Sequence, residues 1–357
     1  TRSRSKANVS CDAGLAGGGE GGRGPRLITH IAVEGKAVVQ GVQPIYMCET
    51  GKRTGGWDAF PSPPVTHPDG TRRFLGEFSL RSARARTVGD RVELFFDGLK
   101  MGIFEGGIAY TFYPGSRLIK QEALMTTQVP DTAYYYDAGI RIDAAHNRSP
   151  GRHNMETEWA YFDVEGRLRT ERSTARRPER SAPVVRHRML AFRTLGGNLA
   201  VMPPPHQYFF SRNQTSNQGY VWRSAWDGCA FVGVRQWPDD NTRANTWINA
   251  PPGTLQRMSM FLVISDQAPA VTLKDALAFT NGDRFPSLPG YKTLTTHWHL
   301  AYTVQAMAKG FDWVPPFKSV FKDMGVNAVQ VSDFHGGDLH ARDLTELRLQ
   351  ELDAYFR

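Results

Sequence analysis

Cysteine is nearly absent from this sequence: Cys11, Cys48 and Cys229 are the only three in 357 residues. They are too few and too dispersed for a disulfide framework or a zinc knuckle, and at most one disulfide can form among them. Long hydrophobic runs are missing as well. No apolar stretch approaches the ~18–20 residues of a membrane span, and no signal-peptide pattern is visible, so a soluble protein with no membrane partner is expected. Acidic residues fall short of basic ones, 35 Asp and Glu against 43 Lys and Arg, for a net charge of +8 and a pI near 9.4. Such a balance suits an anionic partner in general. The arginine-rich stretch Arg167–Arg188, however, has no aromatic residue among its arginines. Stacking platforms for bases are therefore lacking, and a solvated loop is expected there in place of a nucleic-acid surface.

What the chain does have is turn formers and aromatics: Gly 35, Pro 22, Phe 20, Tyr 12 and Trp 8. These favour strands and tight connections, and the length suits two domains. Residues 1–26 include the run Gly17–Gly24, which formally fits a dinucleotide fingerprint. With no strand before it and no helix start after it, the phosphates would have no cradle, so a disordered tail is expected.

From Leu27 onward short runs alternate or stay apolar between Gly, Pro and Asp punctuation. Strands are expected at Leu27–Val33, Lys36–Val42, Arg73–Arg81, Arg91–Phe96, Gly107–Tyr113, Leu118–Thr126 and Tyr134–Ile142. The series continues through Glu158–Val164, His187–Thr194, Asn198–Met202, Tyr220–Trp226, Phe231–Arg235 and Leu255–Ile264, with one helix at Leu273–Thr280. This spacing predicts a large antiparallel sandwich over residues 27–285.

Pro286–Gly290 breaks that pattern, since prolines end the preceding helix and no ladder runs through them. After it the periodicity changes. A strand at Tyr291–His299, helices at Leu300–Lys309 and Pro315–Met324, a strand at Val326–Val331 and a helix at Leu344–Phe356 form a parallel α/β pattern over 286–357. The fold class expected is thus mainly β, a large antiparallel super-sandwich followed by a short, incomplete β-α-β segment.

Metal-capable side chains gather at the ends of the two C-terminal strands. His297 and His299 are two apart, so an unbroken strand would turn both imidazoles to one face. Asp333 and His335 repeat that spacing at the next strand end, and Asp338 and His340 follow in the Gly336-Gly337 loop. Thr296-His297-Trp298-His299 resembles the first motif of the polymerase and histidinol phosphatase family of metal-dependent hydrolases. Lys322–Gly336 is similar to its second motif, with Ser332 in place of Thr, Phe334 inserted before His335, and Thr296 where that family often has Asp. The resemblance implies a divalent metal, zinc, manganese or iron, held by His297, His299, Asp333, His335, Asp338 and His340. It also implies hydrolysis of a phosphoester or related bond by a metal-bound hydroxide. It spans 290–357, far short of the ~200 or more residues of a closed barrel, so only the beginning of such a domain is expected.

Tyr113–Glu122 and Tyr134–Gly139 resemble the super-sandwich of galactose mutarotases, which implies a carbohydrate-related role upstream. His206, Gln207, Arg212 and Trp222 supply the ingredients of a sugar cleft, an aromatic face and groups that bond hydroxyls. Sandwich filling is the alternative reading for the tryptophans. His153, Glu156 and Glu158 suit proton transfer, though surface strand charge is the commoner explanation for such residues. Two functions follow: a fragment of a metal-dependent hydrolase with a carbohydrate-related sandwich, or a non-enzymatic glycan- or protein-binding module. Nothing in the sequence signals an oligomeric state.

Overall fold

A computed structural model describes residues 9–12, 27–52, 71–143, 155–175, 183–204, 221–226, 229–235, 248–283, 289–299, 309–311 and 314–333. The strands of the first compact unit, which ends at Asp283, begin with β1 (Val9–Asp12), β2 (Ile28–Val33), β3 (Lys36–Lys52), β4 (Arg72–Leu75), β5 (Glu77–Val88) and β6 (Arg91–Met101). They continue with β7 (Phe104–Phe112), β8 (Leu118–Thr126), β9 (Thr132–Asp143), β10 (Met155–Phe162), β11 (Leu168–Ala175) and β12 (Leu190–Arg193). The last are β13 (Asn198–Met202), β14 (Val221–Trp226), β15 (Cys229–Arg235), β16 (Ile248–Ala250) and β17 (Gln256–Ser265), followed by helix α1 (Pro269–Phe279).

These strands form two antiparallel sheets. The first runs β1-β2-β3-β9-β15-β14, with β4 on β3 and β16 on β9; the second runs β11-β10-β12-β13-β17-β8-β7-β6-β5. Alternation sorts each strand between two faces. On β9, Tyr134, Tyr136, Ala138, Ile140 and Ile142 enter one core cluster with Ile108, Tyr110, Ile119 and Met258 of the second sheet. Polar pins cross this core. The Tyr136 hydroxyl donates to the Ser259 carbonyl at 3.1 Å, and the Gln121 amide donates to the Gly139 carbonyl at 3.0 Å. Buried polar groups satisfied in this way fix how the sheets stack, because leaving them unmade costs more than the bond itself gains.

Helix α1 covers the far side of the second sheet. Leu273 and Ala276 pack with Ala160, Ala191, Ala200, Met202 and Val263. Both faces of β12, β13 and β17 are therefore buried, which is why their sequences read as near-continuous apolar runs. The helix starts earlier than its periodicity suggests, with Pro269 in the first turn, where a missing N–H costs nothing.

Three expectations are corrected. Residues 9–12 form a strand, with Val9 opposite Val33 on the open edge of β2, where the tail was expected to be disordered throughout. β3 continues past Val42 to Lys52, because Pro44 falls between the end of its pairing with β2 and the start of its pairing with β4 at Met47. The arginine-rich stretch opens as strand β11 rather than as a loop. It pairs with β10 along its whole length, and Asp163 holds Arg167 and Arg169 at 3.1 and 2.7 Å. Charged side chains of this kind suit a sheet edge, which they protect from further pairing.

The second unit, by itself, is a β-α-β arrangement: β18 (Thr293–His299), α2 (Val314–Asp323) and β19 (Ala328–Asp333), with the strands parallel. Gly325, at φ 66, ends α2 in the left-handed conformation, and the Val326 N–H bonds back to the Phe321 carbonyl at 2.8 Å. The Asn327 side chain then ties the strand starts together, accepting from the Lys292 N–H at 2.7 Å and donating to the Gly290 carbonyl at 2.8 Å. The helices expected at Leu300–Lys309 and Leu344–Phe356, apart from Lys309, lie outside the described residues. Among the described residues no helix is long and apolar enough to cross a membrane.

Candidate functional site

The outer face of the first sheet, away from the core, is a grid of cross-strand rows. One row runs Ile45, Gly139, Gly233, Trp222 in register across β3, β9, β15 and β14. The paired glycines make a flat floor, and the Trp222 indole, only 7% exposed, lies on it. The next row toward one end holds Met47, Asp137 and Arg235, and beyond it come Glu49 and Tyr135. On the other side of the glycine floor lies the row Gln43, Arg141, Phe231, Ser224.

Charge is distributed unevenly over these rows. Arg235 donates to Asp137 at 3.3 Å, and both side chains are almost fully buried. Glu49 accepts from Arg73 at 2.8 Å, from the Thr71 hydroxyl at 2.5 Å and from the Tyr135 hydroxyl. Burial works to raise the Glu49 carboxyl, yet the bonds from Thr71, Tyr135 and Arg73 together hold it below the usual carboxylate range. Burial, then the neighbouring Glu49 carboxylate, pushes the Tyr135 phenol upward, so it remains a donor.

The fourth row differs in being half-buried at every position, so this part of the face reaches solvent. Arg141 donates to the Gln43 amide oxygen at 3.0 Å and to the Cys229 sulfur at 2.9 Å, and its guanidinium lies 5.9 Å from the centre of the Phe231 ring. An amide, a guanidinium, a phenyl ring and a hydroxyl thus stand in one line across four strands. That combination offers an apolar surface with directional donors and acceptors beside it, the general make-up of a small-molecule site.

Of the residues singled out from the sequence, Trp222 stands on this face, whereas His206, Gln207 and Arg212 lie outside the described residues. Gln43, Arg141 and Phe231 were not singled out. The signal for them is the i, i+2 set Tyr135, Asp137, Gly139, Arg141, which interrupts an otherwise apolar strand with a second, polar period. Glu158 pairs with Arg193 at 2.8 Å on the surface, in line with its reading as strand charge. His153 lies outside the described residues.

In the second unit, His297 and His299 fall on β18, and His299 is the register partner of Asp333 at the C-terminal ends of the parallel strands. Between Thr296 and His299 the register is irregular: three steps on β18 match two on β19. That irregularity falls in the stretch of β18 that carries the histidine pair. His335, Asp338 and His340 lie outside the described residues, and among the described ones no group of three or more His, Cys, Asp or Glu could hold a metal ion.

The sequence matches no family model and no curated protein. Among solved structures it is similar to a protein described as an aldose 1-epimerase from Klebsiella pneumoniae, at 8% identity and a TM-score of 0.36, over 74% of this chain and 82% of that one. It is similar to a variant of the GH36 alpha-galactosidase AgaA from Geobacillus stearothermophilus in complex with 1-deoxygalactonojirimycin, at 12% identity and a TM-score of 0.34, over 93% of this chain and 42% of that one. A TPR-domain containing protein from Parabacteroides distasonis is similar at 8% identity and a TM-score of 0.38, over 73% and 46%. The chain spans less than half the length of the last two.

Proposed function

We propose that the outer face of the first sheet binds a saccharide through the row Gln43, Arg141, Phe231 and Ser224. The observation that carries this reading is that row itself, half-buried and in register beside the glycine floor under Trp222. The Phe231 ring suits the apolar face of a pyranose, and the amide, guanidinium and hydroxyl suit its hydroxyl groups. No catalytic group is assigned on this face, and the reading is one of binding. Presenting residues 1–357 to a glycan array tests it: selective signals are expected, and an array at background throughout would end the proposal.

A second reading rests on the register of His299 with Asp333. We propose that the second unit begins a metal-dependent hydrolase domain of the polymerase and histidinol phosphatase type, acting on a phosphoester. Imidazole and carboxylate donors suit zinc, manganese or iron, and His297, His299 and Asp333 would contribute to holding the ion. Such a metal, when bound, lowers the pKa of water and stabilises the charge on a leaving group. Elemental analysis of the purified chain, with the His297→Ala, His299→Ala double variant as control, tests this. Bound metal lost in the variant is expected, and equal metal content in both would contradict it.

A further inference from the structure

Among the described residues three guanidinium groups lie on the outer face of the first sheet, and they are not equivalent. Arg73 has the Glu49 carboxylate at 2.8 Å, and Arg235 has the Asp137 carboxylate at 3.3 Å. Among the described residues the partners of Arg141, two residues from the glycine floor, are neutral: an amide oxygen, a sulfur and a ring. It is half-buried, so its charge is partly removed from water, with no carboxylate among the described side chains in exchange. Those two bonds engage NH1 and NH2 once each, whereas a guanidinium carries five N–H donors in a rigid fork. The Gln43 amide and the Cys229 sulfur hold that fork in place, beside Phe231 and at the part of the face that reaches solvent.

We infer that the saccharide taken by this face carries an acidic group, a carboxylate or a sulfate, and that Arg141 is the residue that reads it. The inference rests on the saccharide reading given above and names its substrate class. A planar fork already oriented by neutral neighbours meets an oxyanion without rearrangement, and the attraction is stronger in this partly desolvated position than it is in water. Glu49 and Asp137 are already engaged by Arg73 and Arg235, so those two do not compete for Arg141; Asp143 follows Arg141 in the same alternation of β9, as the register partner of Cys229. An acidic ring would set its apolar face on Phe231 and its charged group on Arg141, its cross-strand neighbour.

Calorimetric titration of the full chain with three oligosaccharides of equal length, one neutral, one built of uronates and one sulfated, tests the inference. One of the two acidic ligands is expected to bind about 10- to 100-fold tighter than the neutral one, and which of them does so identifies the anion. Arg141→Gln should erase that preference, so that acidic and neutral ligands bind the variant equally, and Arg141→Lys should keep part of it, having the charge without the fork. Equal binding of neutral and acidic ligands, or a preference that survives in Arg141→Gln, overturns the inference and leaves the saccharide reading standing. Absence of binding to all three overturns both. If Arg141→Gln does not fold, the wild-type chain decides: affinity for the acidic ligand must fall with added salt while the neutral affinity holds, and a flat response overturns the inference.

Discussion

Gly139 and Gly233 are cross-strand partners beneath the Trp222 indole, and a Cβ built on either would lie 2.6 or 2.5 Å from that ring. Backbone carbonyls crowd the same points, Val232 at 2.8 Å from the first and Ala138 at 2.6 Å from the second. Neither obstacle is a flexible side-chain end. Gly139→Ala and Gly233→Ala should therefore each destabilise the protein by about 1–3 kcal/mol, the usual cost of overpacking. Denaturant unfolding followed by tryptophan fluorescence measures this, and unchanged midpoints would show that the floor is not tight.

The acid limb of stability should depend on Glu49 and Glu122. Both carboxyls are held below their ordinary range in the fold: burial opposes ionisation, but bonds from Thr71, Tyr135 and Arg73 to the first, and from Lys120 and Ser259 to the second, outweigh it. A lowered folded pKa gives stability that is fully present above the unfolded value, about 4.3 for Glu. That stability is lost as pH falls through the lower, folded values. Glu49→Gln should cost on the order of 1 kcal/mol at neutral pH and should flatten the decline below pH 4. An acid limb with the wild-type slope would contradict the assignment.

Cys48 should be chemically silent in the folded protein. It is fully buried, and burial together with the nearby Glu49 charge pushes its thiol up to about 12. Thiolate, the reactive form, is then scarce at pH 8. Alkylation followed by mass spectrometry should label Cys48 only once denaturant unfolds the chain, and rapid labelling of Cys48 under native conditions would refute the packing described for it.

Much of the fold is legible in the sequence because its signal is local. Leu118–Thr126 and Asn198–Met202 coincide with β8 and β13, since turn residues bound them and their apolar positions have strand periodicity. β11 was missed because its arginines and threonines carry no apolar alternation, and its strand character comes from pairing with β10 and from the anchoring of Arg169 by Asp163. The site row was not legible for a different reason. Gln43 and Arg141 are 98 residues apart in the chain, and only the pairing of β3 with β9 brings them into bonding distance. Composition pointed to Trp222, but its neighbours follow from sheet register, which periodicity alone does not fix. At the C-terminus the strand ends were legible from the β-branched runs before His297 and Asp333, whereas the register irregularity between Thr296 and His299 has no sequence mark.

The central claim is that saccharide binds at the fourth row of the first sheet, and Phe231 is its most direct probe. A ligand found on the array should be titrated against the wild-type chain, against Phe231→Ala, and against Glu105→Gln, which alters an exposed ion pair with Lys100 on the second sheet. Phe231 is half-buried, so its truncation is expected to leave the fold intact. The account predicts that Phe231→Ala weakens binding at least about fivefold, as loss of an aromatic contact worth about 1–3 kcal/mol would, while Glu105→Gln binds as wild type does. Wild-type affinity in a folded Phe231→Ala protein would contradict it.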